Sequence, residues 1–137
     1  MREEIYPSGF KPLNKLLDGE EVIKMGNYNP AKFLKLQKKD RYNKAYLIIE
    51  KLLKILIDKY PVKKVILIGS CLEDKRFHSH SDIDLCIEGL SGAQYFQAVG
   101  EMLIESEEFN VDLIPIENSN RRMKKYIEKG KVLYGTR

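Results

Sequence analysis

The run VKKVILIGS, from Val62 to Ser70, constrains this chain more than any other stretch. Val65, Ile66, Leu67 and Ile68 follow one another with no polar residue between them. Such a short, unalternating, β-branched run reads as a strand buried on both faces. Eleven residues after its closing Gly-Ser the chain returns with Asp82-Ile83-Asp84, which opens a second strand, SDIDLCIEG. FNVDLIPIE reads as a third strand, and KVLYG as a last short strand or an edge contact.

Helical patterns separate these strands. Asn29-Pro30 is a good helix start, since asparagine caps and proline suits the first helical position. From there to Tyr60 the chain reads as helix, with a break expected near Asp40 and a stop at Pro61. Ala45, Ile48, Ile49, Leu52, Leu53, Leu56 and Tyr60 form its apolar stripe, with Lys44, Lys51, Lys54 and Asp58 opposite. A second helix is expected over residues 93–108, turning Phe96, Val99, Met102, Leu103 and Ile104 inward. NSNRRMKKYIEKG gives a third, capped by Ser119 or Asn118 and ended at Gly130. Residues 1–28, punctuated by Pro7, Gly9, Pro12, Gly19 and Gly26, read as loop with a short helical turn in KPLNKLLDG. Helices interleaved with a small mixed sheet give an α/β (α+β) domain.

At 137 residues the chain suits one domain. No apolar run approaches the roughly 20 residues that span a bilayer, and MREEIYPSGF lacks the apolar stretch of a signal peptide. Two cysteines, Cys71 and Cys86, are too few for a disulfide framework and fit reduced thiols in a cytoplasmic protein. Residues 1–64 hold 15 Lys/Arg against 8 Asp/Glu, and residues 65–137 hold 9 against 12. The basic half reads as a solvated helix face, and the net charge of +4 disfavours nucleic acid as a partner.

Gly69-Ser70 after a strand suits a phosphate, because glycine lets the backbone approach an anion and serine adds donors. No P-loop lysine follows. Asp82 and Asp84 carry more information. Alternate side chains of a strand share a face, so both carboxylates point the same way, about 7 Å apart. Like charges so placed need a cation between them, and oxygen donors suit Mg²⁺ or Mn²⁺. The competing reading has Ser81-Asp82 capping a turn and Asp84 exposed at an edge. Asp112 weighs against it, as a carboxylate with no packing reason inside the apolar run VDLIPI. If the third strand lies beside the second, three carboxylates converge opposite Gly69-Ser70. That layout serves two-metal phosphoryl transfer.

GS, an eleven-residue spacer, DID, and VDLI roughly thirty residues on resemble the nucleotidyltransferase superfamily that includes DNA polymerase β. The chain looks most like its minimal nucleotidyltransferase branch, often paired with a small helical HEPN protein, and YIEKGKVLYG resembles the usual end of that branch. The resemblance covers Lys44 to Gly135. It divides the chain into an N-terminal helical extension, residues 1–40, packed on or near the core, and a nucleotidyltransferase domain, residues 41–137.

The resemblance implies that Gly69 and Ser70 cradle the triphosphate of ATP or another NTP. It implies that Asp82 and Asp84 hold two Mg²⁺ ions, with Asp112 completing the metal-binding and catalytic set and activating the acceptor. A nucleoside monophosphate would pass to a hydroxyl, here a tyrosine of a HEPN toxin, making this chain the antitoxin. The family's loop commonly runs arginine, small residue, arginine, glycine, with a spacer one residue shorter. Here it reads CLEDKRFHSHS, and Lys75 and Arg76 are the candidates to meet phosphate. Two alternatives stand beside this reading: a small-molecule acceptor, and a non-catalytic toxin-binding module on the same fold.

The remaining reactive residues read as structural. His78 and His80 lack a third ligand and read as loop histidines. Cys71 lacks a paired base and reads as a small loop residue, and Cys86 as packing. Arg121, Arg122, Lys124 and Lys125 read as a solvated helix face. The long apolar helix over residues 30–60 leaves room for self-association into a homo-oligomer or for partner docking.

Overall fold

The computed structural model of the protein describes residues 30–136, without the side chain of Phe33. The expectations for residues 1–29, including the turn in KPLNKLLDG, the cap at Asn29 and most of the extension, lie outside the described residues.

Helix α1 runs Pro30–Lys59 without interruption. The break expected at Asp40 does not occur. One aspartate inside a helix costs at most about 0.7 kcal/mol relative to alanine. Burying the ring of Tyr42, two residues on, contributes more, about 1.5–3 kcal/mol, and its register requires that the helix continue. The expected stripe from Ala45 to Tyr60 is buried in the main core, while Lys44, Lys54 and Asp58 are exposed.

Four strands follow: β1 Lys64–Ile68, β2 Ile83–Glu88, β3 Val111–Pro115 and β4 Lys131–Tyr134. They form one mixed sheet in the order β3-β2-β1-β4. β1 is antiparallel to both β2 and β4, and β2 is parallel to β3. A parallel pair needs a crossover, and α2, Gly92–Glu105, supplies it. The two sheet faces bury different partners. Val65, Leu67, Leu85, Ile87 and Leu113 pack in the large core with the stripe of α1. Ile66, Ile68, Cys86 and Val132 pack in a smaller cluster with Met123 and Ile127 of α3, Arg121–Lys129. The unbroken apolar run of β1 is the consequence: successive side chains alternate between two covered faces.

Two expectations are corrected. In α2 the buried positions are Ala98 and Met102, with Tyr95 and Val99 packed against the core. Phe96, Leu103 and Ile104 are 73%, 64% and 79% exposed, so they face away rather than inward. The helix carries two apolar stripes, and the one at 95, 98, 99 and 102 meets the sheet. Helix α3 is capped by Asn120, whose side chain accepts the Met123 N–H at 2.8 Å. Ser119 instead donates its hydroxyl to the Ile116 carbonyl at 2.7 Å, which removes it as a cap. No helix among the described residues is long and apolar enough to cross a membrane.

Candidate active site

The end of β1 and the starts of β2 and β3 meet in the three strands on one side of the sheet. Register fixes the meeting: Ile68 pairs with Asp84 across the antiparallel ladder, and Asp84 pairs with Asp112 across the parallel one. The convergence expected for these carboxylates therefore holds for Asp84 and Asp112, side by side on neighbouring strands. Asp82 is half-buried and lies just ahead of β2.

Gly69, the residue after β1, completes the arrangement. Its φ is +82°, in the left-handed region that glycine enters without steric cost. A Cβ at this position would lie 2.6 Å from Oδ2 of Asp84. Glycine is required twice over, for the backbone turn and for the space that the carboxylate occupies. Ser70 follows in a single 3₁₀ turn, Gly69–Leu72.

The electrostatics match this crowding. Burial pushes the Asp84 carboxyl up to about 6, and the charge of Asp112, its hydrogen bond with Asp84 and the charge of Asp82 push the same way. A carboxylate so placed is stabilised by any cation that arrives. Among the described residues no three His, Cys, Asp or Glu side chains are gathered into a metal cage. The donor set still fits Mg²⁺, a hard ion usually held by one or two carboxylates together with water and substrate phosphates.

The loop between the strands is anchored by Tyr42, Tyr46 and Phe77, which sequence reasoning passed over. The Tyr46 hydroxyl donates to the Cys71 carbonyl at 2.6 Å, and the Tyr42 hydroxyl approaches the same oxygen at 3.5 Å. Phe77 is fully buried, edge-on to Tyr42 with ring centroids 5.4 Å apart. The Ser81 hydroxyl accepts the His78 N–H at 2.9 Å. The available signals were the Tyr42/Tyr46 spacing on one helix face and a lone phenylalanine in a polar loop.

The other candidates divide clearly. Cys71 is buried, and burial, followed by the Asp84 and Asp82 charges, pushes its thiol up to about 12, which leaves it inert. Cys86 is packed in the smaller core, its thiol pushed up to about 11 mainly by burial. Lys75 and Arg76 sit exposed on a second 3₁₀ turn, Asp74–Arg76. His78 and His80 are exposed, with the His80 N–H donated to His78 Nδ1 at 3.1 Å. Arg121, Arg122, Lys124 and Lys125 are exposed on α3.

A family model described as polymerase beta, nucleotidyltransferase matches residues 50–137. Comparison with curated proteins gives no match. Among solved structures, a toxin–antitoxin with AMP-PNP is similar at 25% identity and TM-score 0.53, covering 64% of this chain and 73% of that one. An MntA–HepT toxin–antitoxin is similar at 22% identity and TM-score 0.50, covering 66% and 72%. A tri-AMPylated Shewanella oneidensis HEPN toxin in complex with MNT antitoxin is similar at 23% identity and TM-score 0.50, covering 66% and 71%. The last two likenesses concern the fold. The family match takes in all four strands, the glycine turn and the three aspartates. The chain belongs to the polymerase beta nucleotidyltransferase family, and its enzyme class is nucleotidyltransferase.

Proposed function

We propose that the chain is a Mg²⁺-dependent nucleotidyltransferase that moves a nucleoside monophosphate from an NTP to a tyrosine hydroxyl of a HEPN-type partner, acting as its antitoxin. The observation that carries the reading is the Asp84–Asp112 pair, set in register on adjacent strands against a glycine that leaves room for Asp84. The partner class rests on the likeness to antitoxin–toxin complexes. ATP as donor rests on the neighbour with AMP-PNP.

In this reading Gly69 and Ser70 present backbone N–H groups and a hydroxyl to the triphosphate. Lys75 and Arg76 add positive charge from the following turn. Asp82 and Asp84, with Asp112, are the residues that would hold the metal. When bound, Mg²⁺ or Mn²⁺ neutralises phosphate charge and stabilises the attacking and leaving oxygens. Asp112, exposed at the start of β3, takes the proton of the acceptor hydroxyl. The acceptor oxygen then bonds to the α-phosphorus, the bond from that phosphorus to the bridging oxygen breaks, and pyrophosphate leaves.

The test is transfer of label from α-³²P-ATP to the partner, scored beside circular dichroism of each variant. Asp84→Ala and Asp112→Ala each lower transfer by at least a hundredfold while the fold is kept, and a tyrosine-free partner takes no label. Undiminished transfer in folded Asp84→Ala overturns the reading.

A further inference from the structure

Helix α2 buries one apolar stripe and exposes another. Tyr95, Ala98, Val99 and Met102 pack toward the sheet. Phe96, Leu103 and Ile104 stand in solvent on the outward face, together with exposed Ala93 and half-buried Gly100. Glu101 is the one charged residue from Gly92 to Ile104. It turns to α1, where Lys59 and Tyr60 donate to it at 2.7 and 2.8 Å. A chain with 32% charged residues therefore leaves this face uncharged. Single exposed apolar side chains are ordinary, but a contiguous uncharged stripe marks a docking face.

Gly100 indicates what docks. It lies inside the helix, where glycine is less favoured than any residue but proline. A Cβ there would meet nothing within 4 Å, so among the described residues no neighbour requires the space. The same stripe supplies a side chain to fill it. Residues 96 and 100 each lie two positions from Ala98, and residues 93 and 103 each lie five. Two α2 helices set antiparallel about Ala98 thus bring Phe96 of each level with Gly100 of the other, and Leu103 level with Ala93. Every large side chain so paired meets a small one, which lets the helices approach closely. The face carries no charge to repel its own copy, and antiparallel helix dipoles oppose favourably.

We infer that the outward face of α2 is a self-association surface that pairs with α2 of a second copy, antiparallel about Ala98. The contact is isologous, the usual geometry of a two-fold dimer. From Ala93 to Ile104 the stripe is about 17 Å long at 1.5 Å per residue. A helix pair of that length falls short of the roughly 800 Å² per partner of a standard stable interface, so the dimer is reversible. The stripe contains no residue assigned to nucleotidyl transfer, and the inference is independent of that reading.

The experiment is sedimentation velocity of the full chain across the micromolar range, beside the melting temperature of each variant at the lowest concentration. Wild type is expected to pass from monomer to dimer as concentration rises. Phe96→Ala, at a position 73% exposed, keeps the fold and weakens dimerisation about tenfold or more. Gly100→Leu does the same by filling the space, and its monomer melts no lower than wild type, because leucine favours the helix. Phe96→Ala/Gly100→Leu exchanges large and small across the pair and regains dimerisation. Asp84→Ala dimerises like wild type, so failure of the transfer reading leaves this inference standing. A monomer at every concentration overturns the inference and assigns the stripe to a different protein. Unchanged dimerisation in Phe96→Ala overturns it by placing the contact elsewhere. Stronger association in Gly100→Leu, or no recovery in the double variant, overturns the pairing and shows unspecific apolar contact.

Discussion

The site turns on contacts that single atoms decide. Gly69 stands against Asp84 so closely that a methyl group would take the place of a carboxylate oxygen. Gly69→Ala is expected to cost about 1–2 kcal/mol for the left-handed backbone alone, seen as a lower urea midpoint. It also displaces the Asp84 carboxylate, so transfer falls further than stability does. An unchanged midpoint would contradict the geometry. These residues were legible in the sequence because glycine after a buried strand and aspartates inside apolar strands run against local packing preference. The pairing of Asp84 with Asp112 was legible only conditionally, since strand order is not written in any one strand. The spacing of the loop residues was readable, but their anchoring was not. A tyrosine on an apolar helix face looks like core until its hydroxyl is seen to meet the Cys71 carbonyl.

Between elements, α1 holds two things in place. One is the loop: Tyr46→Phe removes the 2.6 Å bond to the buried Cys71 carbonyl. It is expected to destabilise the fold by about 1 kcal/mol, with faster amide exchange concentrated over residues 69–77. Uniform exchange changes across the domain would contradict a local anchor. The other is α2: Glu101 accepts from Lys59 at 2.7 Å and from Tyr60 at 2.8 Å. These bonds, the Lys59 bond foremost, hold its carboxyl below the ordinary range. A carboxyl lowered on folding stabilises above its unfolded pKa, and that contribution is lost as pH falls through the folded value. Glu101→Gln therefore lowers the melting temperature at pH 7 and leaves it closer to wild type at pH 3. An equal loss at both values would show that charge plays no part. Sequence reasoning found α2 and placed Val99 and Met102 on its inward face, but it added Phe96, Leu103 and Ile104, which are exposed. Ala98, passed over, offers less apolar bulk than Phe96, Leu103 or Ile104, yet it is buried beside Met102. Side-chain size alone does not say which face of a helix meets the sheet. At α3 three adjacent polar residues, Asn118, Ser119 and Asn120, all had capping chemistry, and the 3₁₀ turn Ile116–Asn118 moved the helix start to Arg121.

Across the molecule, two covered sheet faces explain why β1 is apolar from Val65 to Ile68, and that logic makes the fold class readable in the sequence. The first two thirds of α1, ahead of residue 50, lie outside the family match. They nevertheless carry Tyr42 and Tyr46, which hold the loop between the strands. That role emerges only when the chain is folded, because the Cys71 carbonyl lies 25 positions beyond Tyr46. The central claim is that the carboxylates beside Gly69 form a working nucleotide and metal site. The most direct measurement is the melting temperature of wild type and Asp82→Ala/Asp84→Ala with each NTP, with and without Mg²⁺. A ligand at a hundredfold excess over its dissociation constant adds about 2.7 kcal/mol, or about 10 °C for a chain of this size. The account predicts that shift for wild type with one NTP in the presence of Mg²⁺, and its loss in the variant. An equal shift in both proteins, or none in either at millimolar nucleotide, would contradict it.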